Sequence, residues 1–475
     1  MTRLDEEREA QKLWRLKRPA AATVIDKMLR REFLEPVAAR ELEASELTRI
    51  LRFARSEVPY YRSDEAWSGL TLDVPVGRDV LAELPIIGKH DVQDRVEDLK
   101  AERLPRGQKT LSWTSSSGTT GRPTRVLFNQ HPLMMFALLV QRPLRWARID
   151  PSGTQAVIRL PRDLPRQADG SPLADGTILR TTGWMYLSDW FHTGPMIGFN
   201  RSNPVEEQID MLRKERPQYL ITFPGTLETL VYACQGKPVD SLLALRTISA
   251  TLTQGMRERI ESATGLHVYE TYGLNEIGIV AHRCEAGRYH VNAEHCLVEI
   301  VDAAGKPSKP GETGRILVTS LTNLAMPLIR YDTGDIAEAV EGLCSCGRTL
   351  PSIGRIMGRY RAMRHVPEGT SGRLNLIAET FDRLPLAVLA NLREYQLHQF
   401  GDGSFELRLV TLGEPEQRLV SALRKAWDAQ NDASTPLRIL RVDEIAIGSG
   451  GKQQEFTSDF FPSVHEGSEF SAGAR

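Results

Sequence analysis

Residues Ser115-Ser116-Ser117-Gly118-Thr119-Thr120-Gly121 place five hydroxyl side chains and two glycines in seven consecutive positions. Glycines let a backbone approach a ligand closely, and hydroxyls together with main-chain N–H groups donate to phosphate oxygens. The stretch departs from the G-x-x-x-x-G-K-[ST] phosphate loop, because its glycines are too close together and no lysine follows. A polar turn and a nucleotide cradle both fit it, since Ser/Thr/Gly clusters are ordinary loop material. Four further stretches set a tight turn beside a polar or charged group: Tyr272-Gly273-Leu274-Asn275-Glu276, Arg330-Tyr331-Asp332-Thr333-Gly334-Asp335, Gly358-Arg359 and Gly450-Gly451-Lys452. Singly, each reads as a turn with a solvated side chain. Cys284, His290, Cys344 and Cys346 form a separate set, spaced C-x5-H…C-x-C, which is looser than the zinc-finger patterns. Spacing alone favours free structural thiols there.

The elements that must position these groups are legible in outline. The hydroxyl-rich loop lies between strand-like runs at 110–114 and 126–128. Before it, residues 1–110 read as mostly helical, with apolar residues at helical spacing through 42–58. After it, helical and strand-like runs alternate: helices at 132–147, 204–216, 226–234 and 254–263, strands at 155–160, 219–222, 247–250 and 268–270. This rhythm predicts an α/β fold with a mainly parallel sheet covered by helices, on which ligands gather at the carboxyl ends of strands. Strand-like runs at 316–321 and 336–340 flank the Arg330–Asp335 stretch. A smaller α+β set follows: helix 377–384, strands 394–400 and 404–410 about a Gly401-Asp402-Gly403 turn, helix 415–430 and a final strand 437–446. The boundary falls near Arg359, giving a large domain over 1–358 and a small, mobile one over 359–475.

Composition removes several function classes. The 475 residues carry 60 Lys and Arg against 61 Asp and Glu, a net charge of −1, so no bulk charge recruits nucleic acid or an anionic membrane. The first residues mix both charge signs without an apolar core, unlike a signal peptide, and the longest apolar run, 133–140, is too short to span a bilayer. Five cysteines, few and odd in number, suit a reducing cytoplasm.

Taken in this order and spacing, the five turn-like stretches resemble the motifs of the adenylate-forming superfamily of acyl-CoA synthetases, luciferases and adenylation domains. Val58-Pro59-Tyr60-Tyr61, Gly287-Arg288-Tyr289-His290-Val291, Pro327-Leu328-Ile329-Arg330-Tyr331 and Cys344-Ser345-Cys346-Gly347-Arg348 narrow the resemblance to the phenylacetate–CoA ligase family. It runs from about residue 50 to Lys452.

The resemblance implies an ATP-dependent ligase that joins a carboxylic acid to AMP, releases pyrophosphate and passes the acyl group to the thiol of CoA, with an aromatic acid as one candidate. A carrier-protein thiol or an amine is the alternative acceptor, and a nucleotide-binding homologue with impaired catalysis is the alternative class. A homodimer is one open assembly state. In this reading Ser115, Ser116, Ser117, Gly118, Thr119, Thr120 and Gly121 hold the β- and γ-phosphates, and Glu276 ligates Mg²⁺. Tyr272, Gly273 and Asn275 lie against the nucleotide, Asp335 accepts from the ribose diol, and Arg359 contacts ribose or phosphate. Lys452 closes onto the carboxylate and α-phosphate from the small domain. Related ligases hold a structural zinc, for which Cys284, His290, Cys344 and Cys346 are the matching ligands. Two positions depart from the pattern. Asn275 stands where the family usually has Ser or Thr, and Tyr360-Arg361 follow Gly358-Arg359 where it tends to have Asp at the hinge. For the acyl pocket only composition speaks: Trp184, Tyr186, Trp190, Phe191 and His192 cluster in sequence, and such side chains more often fill a core.

Overall fold

Alternating apolar and helical-period runs produce the expected βα alternation, and the computed structural model shows how it closes. It describes residues 2–115, 123–167, 169–359, 381, 384, 386–389, 391–411, 413–414, 417–429, 435–445 and 456–459. The chain divides into two compact units, residues 1–114 with 126–360 and residues 115–125 with 361–475.

The larger unit opens with helices α1 (Arg3–Leu13), α2 (Ala22–Arg31) and α3 (Pro36–Glu57). Thr2 and Asp5 cap α1 reciprocally, satisfying two otherwise orphaned N–H groups. Proline at the first turn starts α3, and its buried Leu47, Ile50, Leu51 and Ala54 fall on one face at helical spacing. Strands β1 (Thr110–Ser115) and β2 (Arg125–Asn129) pair with each other. Helix α4 (Gln130–Trp146) follows directly.

The central sheet contains β3 (Gln155–Arg159), β4 (Ile178–Thr181), β5 (Met196–Asn200), β6 (Tyr219–Thr222), β7 (Ala244–Thr247), β8 (Val268–Leu274), β9 (Gly278–Arg283), β10 (Tyr289–Val291) and β14 (Ser352–Ile353). Its order is β14-β10-β9-β8-β7-β6-β3-β5-β4. From β8 to β5 neighbouring strands are parallel, whereas β4 and the β9, β10, β14 flank are antiparallel. The parallel centre thus matches the βα reading, and the sheet as a whole is mixed. Successive side chains on a strand point to opposite faces, and the sheet uses this. Ala156, Ile158, Leu220, Leu245 and Val268 pack against α5 (Val205–Glu215), α6 (Pro224–Cys234) and α7 (Gln254–Thr264). Val157, Tyr219 and Ala244 face the other way, onto Met135, Leu138 and Leu139 of α4 and onto Trp14, Ile25 and Leu29. A second, antiparallel sheet joins β11 (Cys296–Val301), β12 (Thr313–Ser320), β13 (Tyr331–Glu338) and β15 (Ile356–Arg359). No helix among the described residues is long and apolar enough to cross a membrane.

In the smaller unit β16 (Leu392–Gln399), β17 (Phe405–Thr411), β18 (Leu437–Arg441) and β19 (Phe456–Ser458) form one sheet beside α8 (Gln417–Asp428). Two expectations need correction. The strand placed at 247–250 lies three residues earlier, because Ser249 adopts a left-handed conformation that ends pairing. The final strand placed at 437–446 ends at Arg441 and is not the last, since β19 follows it and pairs parallel with β16. The helix expected at 377–384 lies mostly outside the described residues.

One ionic cluster ties the larger unit together from four directions. The Glu32 carboxylate is buried and accepts from Arg142 Nε at 3.0 Å, from Trp146 Nε1 at 2.9 Å and from Arg145. Arg348, stacked 4.2 Å over the Trp146 ring, donates to Glu7 at 3.0 Å, and the Thr349 N–H donates to the Glu32 carbonyl at 2.8 Å. Burial alone would raise Glu32, but Arg145, Arg142 and Arg348 together hold its carboxyl below the ordinary range. Removing one partner of such a cluster strands the others. Glu32→Ala should therefore lower unfolding free energy by about 3–5 kcal/mol in urea denaturation at neutral pH. With a depressed folded value, the Glu32 contribution is complete above the unfolded carboxylate range and disappears as pH falls through the folded value. Repeating the denaturation at descending pH should show wild type converging on Glu32→Ala.

Candidate functional site

The β8–β9 hairpin positions most of the residues singled out from sequence. Gly273 sits at a register shift in the hairpin, where a Cβ would meet the Gly278 carbonyl at 2.9 Å. This close approach explains the glycine and turns the strand into the 275–277 turn. Asn275 is exposed and Glu276 half-buried on that turn, and Thr114 Oγ1, near the end of β1, donates to the Asn275 carbonyl at 3.1 Å. The turn that carries Glu276 is thereby tied to the strand that leads into the hydroxyl-rich loop.

On the second sheet, Asp335 is brought to the same place. Tyr272 Oη donates to Asp335 Oδ2 at 2.8 Å. The Asp335 loop is itself held from within: Gly334 takes a left-handed φ of +78°, its N–H donates to Asp332, and the Asp335 N–H donates to Thr333 Oγ1 at 3.0 Å. Arg359 pairs with Asp335 across β13 and β15, so its backbone lies beside that carboxylate. Arg330, by contrast, is structural. It is buried, with a left-handed φ of +52°, and its guanidinium donates to the carbonyls of Leu84 and Gly305 and pairs with Glu299. The structure thus brings Tyr272, Gly273, Asn275, Glu276, Asp335 and the Arg359 backbone together. Ser115 ends β1. Ser116, Ser117, Gly118, Thr119, Thr120, Gly121 and Lys452 lie outside the described residues.

Cys284, His290, Cys344 and Cys346 also converge, although 60 residues separate Cys284 from Cys344. All four are buried, with their ligand atoms within 4.8 Å of one another. The Cys284 and Cys344 sulfurs are 3.7 Å apart, and Cys346 Sγ lies 3.2 Å from His290 Nε2. A tetrahedral zinc site requires ligand atoms about 3.5–3.8 Å apart, given Zn–S and Zn–N bonds near 2.3 and 2.0 Å. His290 Nδ1 lies 3.1 Å from the Leu350 carbonyl, the outer contact that aims the other ring nitrogen inward. The hydrogen bond with Cys284, reinforced by His290, holds the Cys346 thiol far below its ordinary range. That same contact and burial push Cys284 up.

The aromatic cluster divides, with Trp184 and Phe191 in the core and Tyr186 and His192 at the surface. Trp184 and Phe191 are fully buried against Trp14, at ring separations of 6.0 and 5.6 Å, and Trp184 Nε1 donates to the Gly153 carbonyl. Trp190 lies under Arg18 at 4.8 Å, and Tyr186 is exposed against Phe136. Two residues that the sequence reading passed over lie nearer the carboxyl ends of the parallel strands: Arg159, last in β3, and Arg246, in β7. Their only sequence signal is a lone arginine in an otherwise apolar run, and for Arg246 the late placement of β7 hid even that.

The chain is similar in sequence and fold to known proteins. Residues 41–326, more than half of the chain, match the AMP-binding enzyme family. The phenylacetate-coenzyme A ligase of Thermus thermophilus is 29% identical over 331 residues, covering 67% of this chain and 70% of that one. The phenylacetate-coenzyme A ligase of Escherichia coli is also 29% identical, covering 69% of this chain and 73% of its own. Among solved structures, 2-hydroxyisobutyryl-CoA ligase in its postadenylation state shares the fold at a TM-score of 0.69 and 16% identity, over 90% of this chain and 91% of that one. With its fold, its hairpin site and this match in agreement, the chain belongs to the AMP-binding enzyme family.

Proposed function

We propose that this protein activates a carboxylic acid with ATP as an acyl-adenylate and transfers the acyl group to the thiol of CoA. The observation that carries the reading is the meeting of the Tyr272–Glu276 turn with Asp335 through the 2.8 Å hydrogen bond from Tyr272. Tyr272 and Asp335, 63 residues apart and on different sheets, put an aromatic ring and a carboxylate beside the Glu276 turn. Thr114 of β1, the strand leading to the hydroxyl-rich loop, also bonds to that turn. The relatives named phenylacetate-coenzyme A ligase support the same chemistry, and the solved ligase of the same fold holds an acyl-AMP.

Each residue then has a physical task. The Tyr272 ring offers an apolar face to adenine, while its hydroxyl fixes the Asp335 rotamer. A carboxylate has about four acceptor sites, so accepting from Tyr272 leaves Asp335 able to take hydrogen bonds from a ribose diol. Ser115–Thr120 supply hydroxyl and N–H donors to the phosphates, favouring departure of pyrophosphate. Glu276 is a hard oxygen donor suited to Mg²⁺, which when bound neutralises phosphate oxygens. Lys452, carried by the 359–475 segment as a lid, neutralises charge developing between the acid and the α-phosphate. CoA is the favoured acceptor over a carrier-protein thiol because both relatives reported are named for it.

The four buried Cys and His ligands are assigned to a structural zinc, because no ligand position is left open for chemistry. Its role is to pin the β9–β10 hairpin to the 344–350 segment, which carries Arg348 into the Glu32 cluster.

Glu276→Ala should abolish acid-dependent exchange of labelled pyrophosphate into ATP, and undiminished exchange would remove Glu276 from the metal site. Purified protein should contain about one zinc per chain by elemental analysis. Cys344→Ser should lose the metal and lower the Tm, while substoichiometric zinc insensitive to Cys344→Ser would return the set to plain buried thiols. Lys452→Ala should slow acyl-adenylate formation by about 10²–10³-fold in single-turnover experiments. It should largely spare thioester formation from synthetic acyl-adenylate and CoA, and equal losses in both arms would show that Lys452 is not the adenylation lysine.

A further inference from the structure

Arg246 is buried, with 8% of its surface exposed, yet no carboxylate among the described residues pairs with it. Among the described residues its one hydrogen bond runs from Nη2 to Thr271 Oγ1 at a long 3.4 Å, and its Nε is buried without a partner there. Arg159 Nε is likewise buried and unpartnered. The two guanidinium groups act on each other electrostatically.

Their setting is defined by strand register. Val157 on β3, Ile221 on β6 and Arg246 on β7 are aligned neighbours, and Arg159 lies two residues beyond Val157 on the same face. That face is the one covered by α4. The carboxylate of β8, Glu270, points to the opposite face, where it takes hydrogen bonds from Arg257 and Tyr289. Both arginines stand at the carboxyl ends of parallel strands, where ligands of such sheets sit. Thr271, the acceptor from Arg246, immediately precedes Tyr272 of the adenylate site.

A buried charge without a counter-ion is expensive, and a fold keeps one only where something else returns the cost. Burial, and secondarily Arg159, push the Arg246 guanidinium down to about 10, so it stays cationic at neutral pH. A buried cation with a second, half-buried one acting on it calls for an anion.

We infer that Arg159 and Arg246 bind a second anionic group on the acid substrate, so that the enzyme activates acids carrying a further carboxylate or equivalent anion at the end away from the reacting one. This deepens the acid-activation reading and rests on it. A guanidinium matches the planar geometry of a carboxylate, and an uncharged tail would leave the buried Arg246 charge without a counter-ion. Selectivity then comes as much from rejecting neutral tails as from holding charged ones.

The test uses pairs of acids that differ only at the far end: butyrate with succinate, hexanoate with adipate, and phenylacetate with 4-carboxyphenylacetate. Pyrophosphate exchange and acyl-CoA formation by wild type should favour the dianionic member of at least one pair by at least about 100-fold in kcat/KM. Arg246→Met and Arg159→Met should each erase that preference while the KM for ATP stays in place. Dianionic acid alone should raise the Tm of wild type and not of either variant. If a variant fails to fold, the wild-type pairs decide by themselves. Turnover confined to singly charged acids would overturn the proposal and leave acid activation standing. A rise in the KM for ATP with equal loss for every acid would assign the pair to nucleotide phosphates and overturn it as well. No exchange with any acid of either kind would overturn the acid-activation reading and this proposal with it.

Discussion

The buried Glu32 carboxylate is the point on which the larger unit turns. It lies just beyond α2, yet it gathers Arg142, Arg145 and Trp146 from α4, while its own carbonyl receives the Thr349 N–H. A single carboxylate cannot neutralise so many cations, and Glu7 from α1 and Glu285 from the hairpin share Arg348 with it. The consequence is geometric. Helix α4, which covers one face of the central sheet, is fixed at its C-terminal end by charge and along its length by Leu138 and Leu139. Ion pairs of this kind contribute less to net stability than to uniqueness, because any other packing of α4 would leave a buried charge unpaired.

From α4 the order passes to both polar sites. Trp146 packs edge-on against His282 and His290 at 6.0 Å each, so the last residue of the helix touches the thiol cluster on one side and the strand bearing His282 on the other. His282 Nδ1 lies 3.1 Å from Thr271 Oγ1, and Thr271 leads into the Tyr272 turn. The chemistry-bearing turn is therefore held from behind by rigid elements, which is what a reaction dominated by positioning and electrostatics requires. Its location follows from topology. At β8 the sheet changes from parallel to antiparallel pairing, so the chain must reverse there, and the reversal sets Asn275 and the half-buried Glu276 on the turn beyond the strand end.

Much of this was legible in the residues and some of it was not. The helices of the βα region have strong period and clear stops, and 219–222 emerged as a strand unchanged. The antiparallel strands β10 and β14 escaped notice because two or three residues make no periodic signal, and they are set by pairing to neighbours instead. Convergence of Cys284 with Cys344 was a matter of resemblance, since spacing says nothing about whether a hairpin and a distant loop meet. The Glu32 cluster was invisible for a related reason. A glutamate at the end of a helix reads as solvent-exposed, and only tertiary packing brings arginines from residues 142, 145 and 348 to it. Trp184 and Phe191 are core, the reading that composition favoured, because Trp14, just past α1, packs against both rings.

The contrast between the two sets of buried arginines shows where structure ends and selectivity begins. Arg142, Arg145 and Arg348 share Glu7, Glu32, Glu285 and Glu294, so their charges are answered within the chain. Arg257 and Arg259, on the other side of the sheet, are answered by Glu270 and Glu228. The fold can therefore build counter-ions for buried arginines where it needs them, and does so on both sides of the central sheet. Arg246 stands one residue before the end of a strand in that same sheet, with Thr271 as its only hydrogen-bonded side chain among the described residues. Packing gives no reason for such a residue, since an apolar side chain at 246 would join Ile221 and Val157 on the covered face at less cost. What distinguishes the position is that it borders the Tyr272 turn, through Thr271, near the carboxyl end of a parallel strand. A charge left unanswered by the protein at that point is answered by what the protein binds.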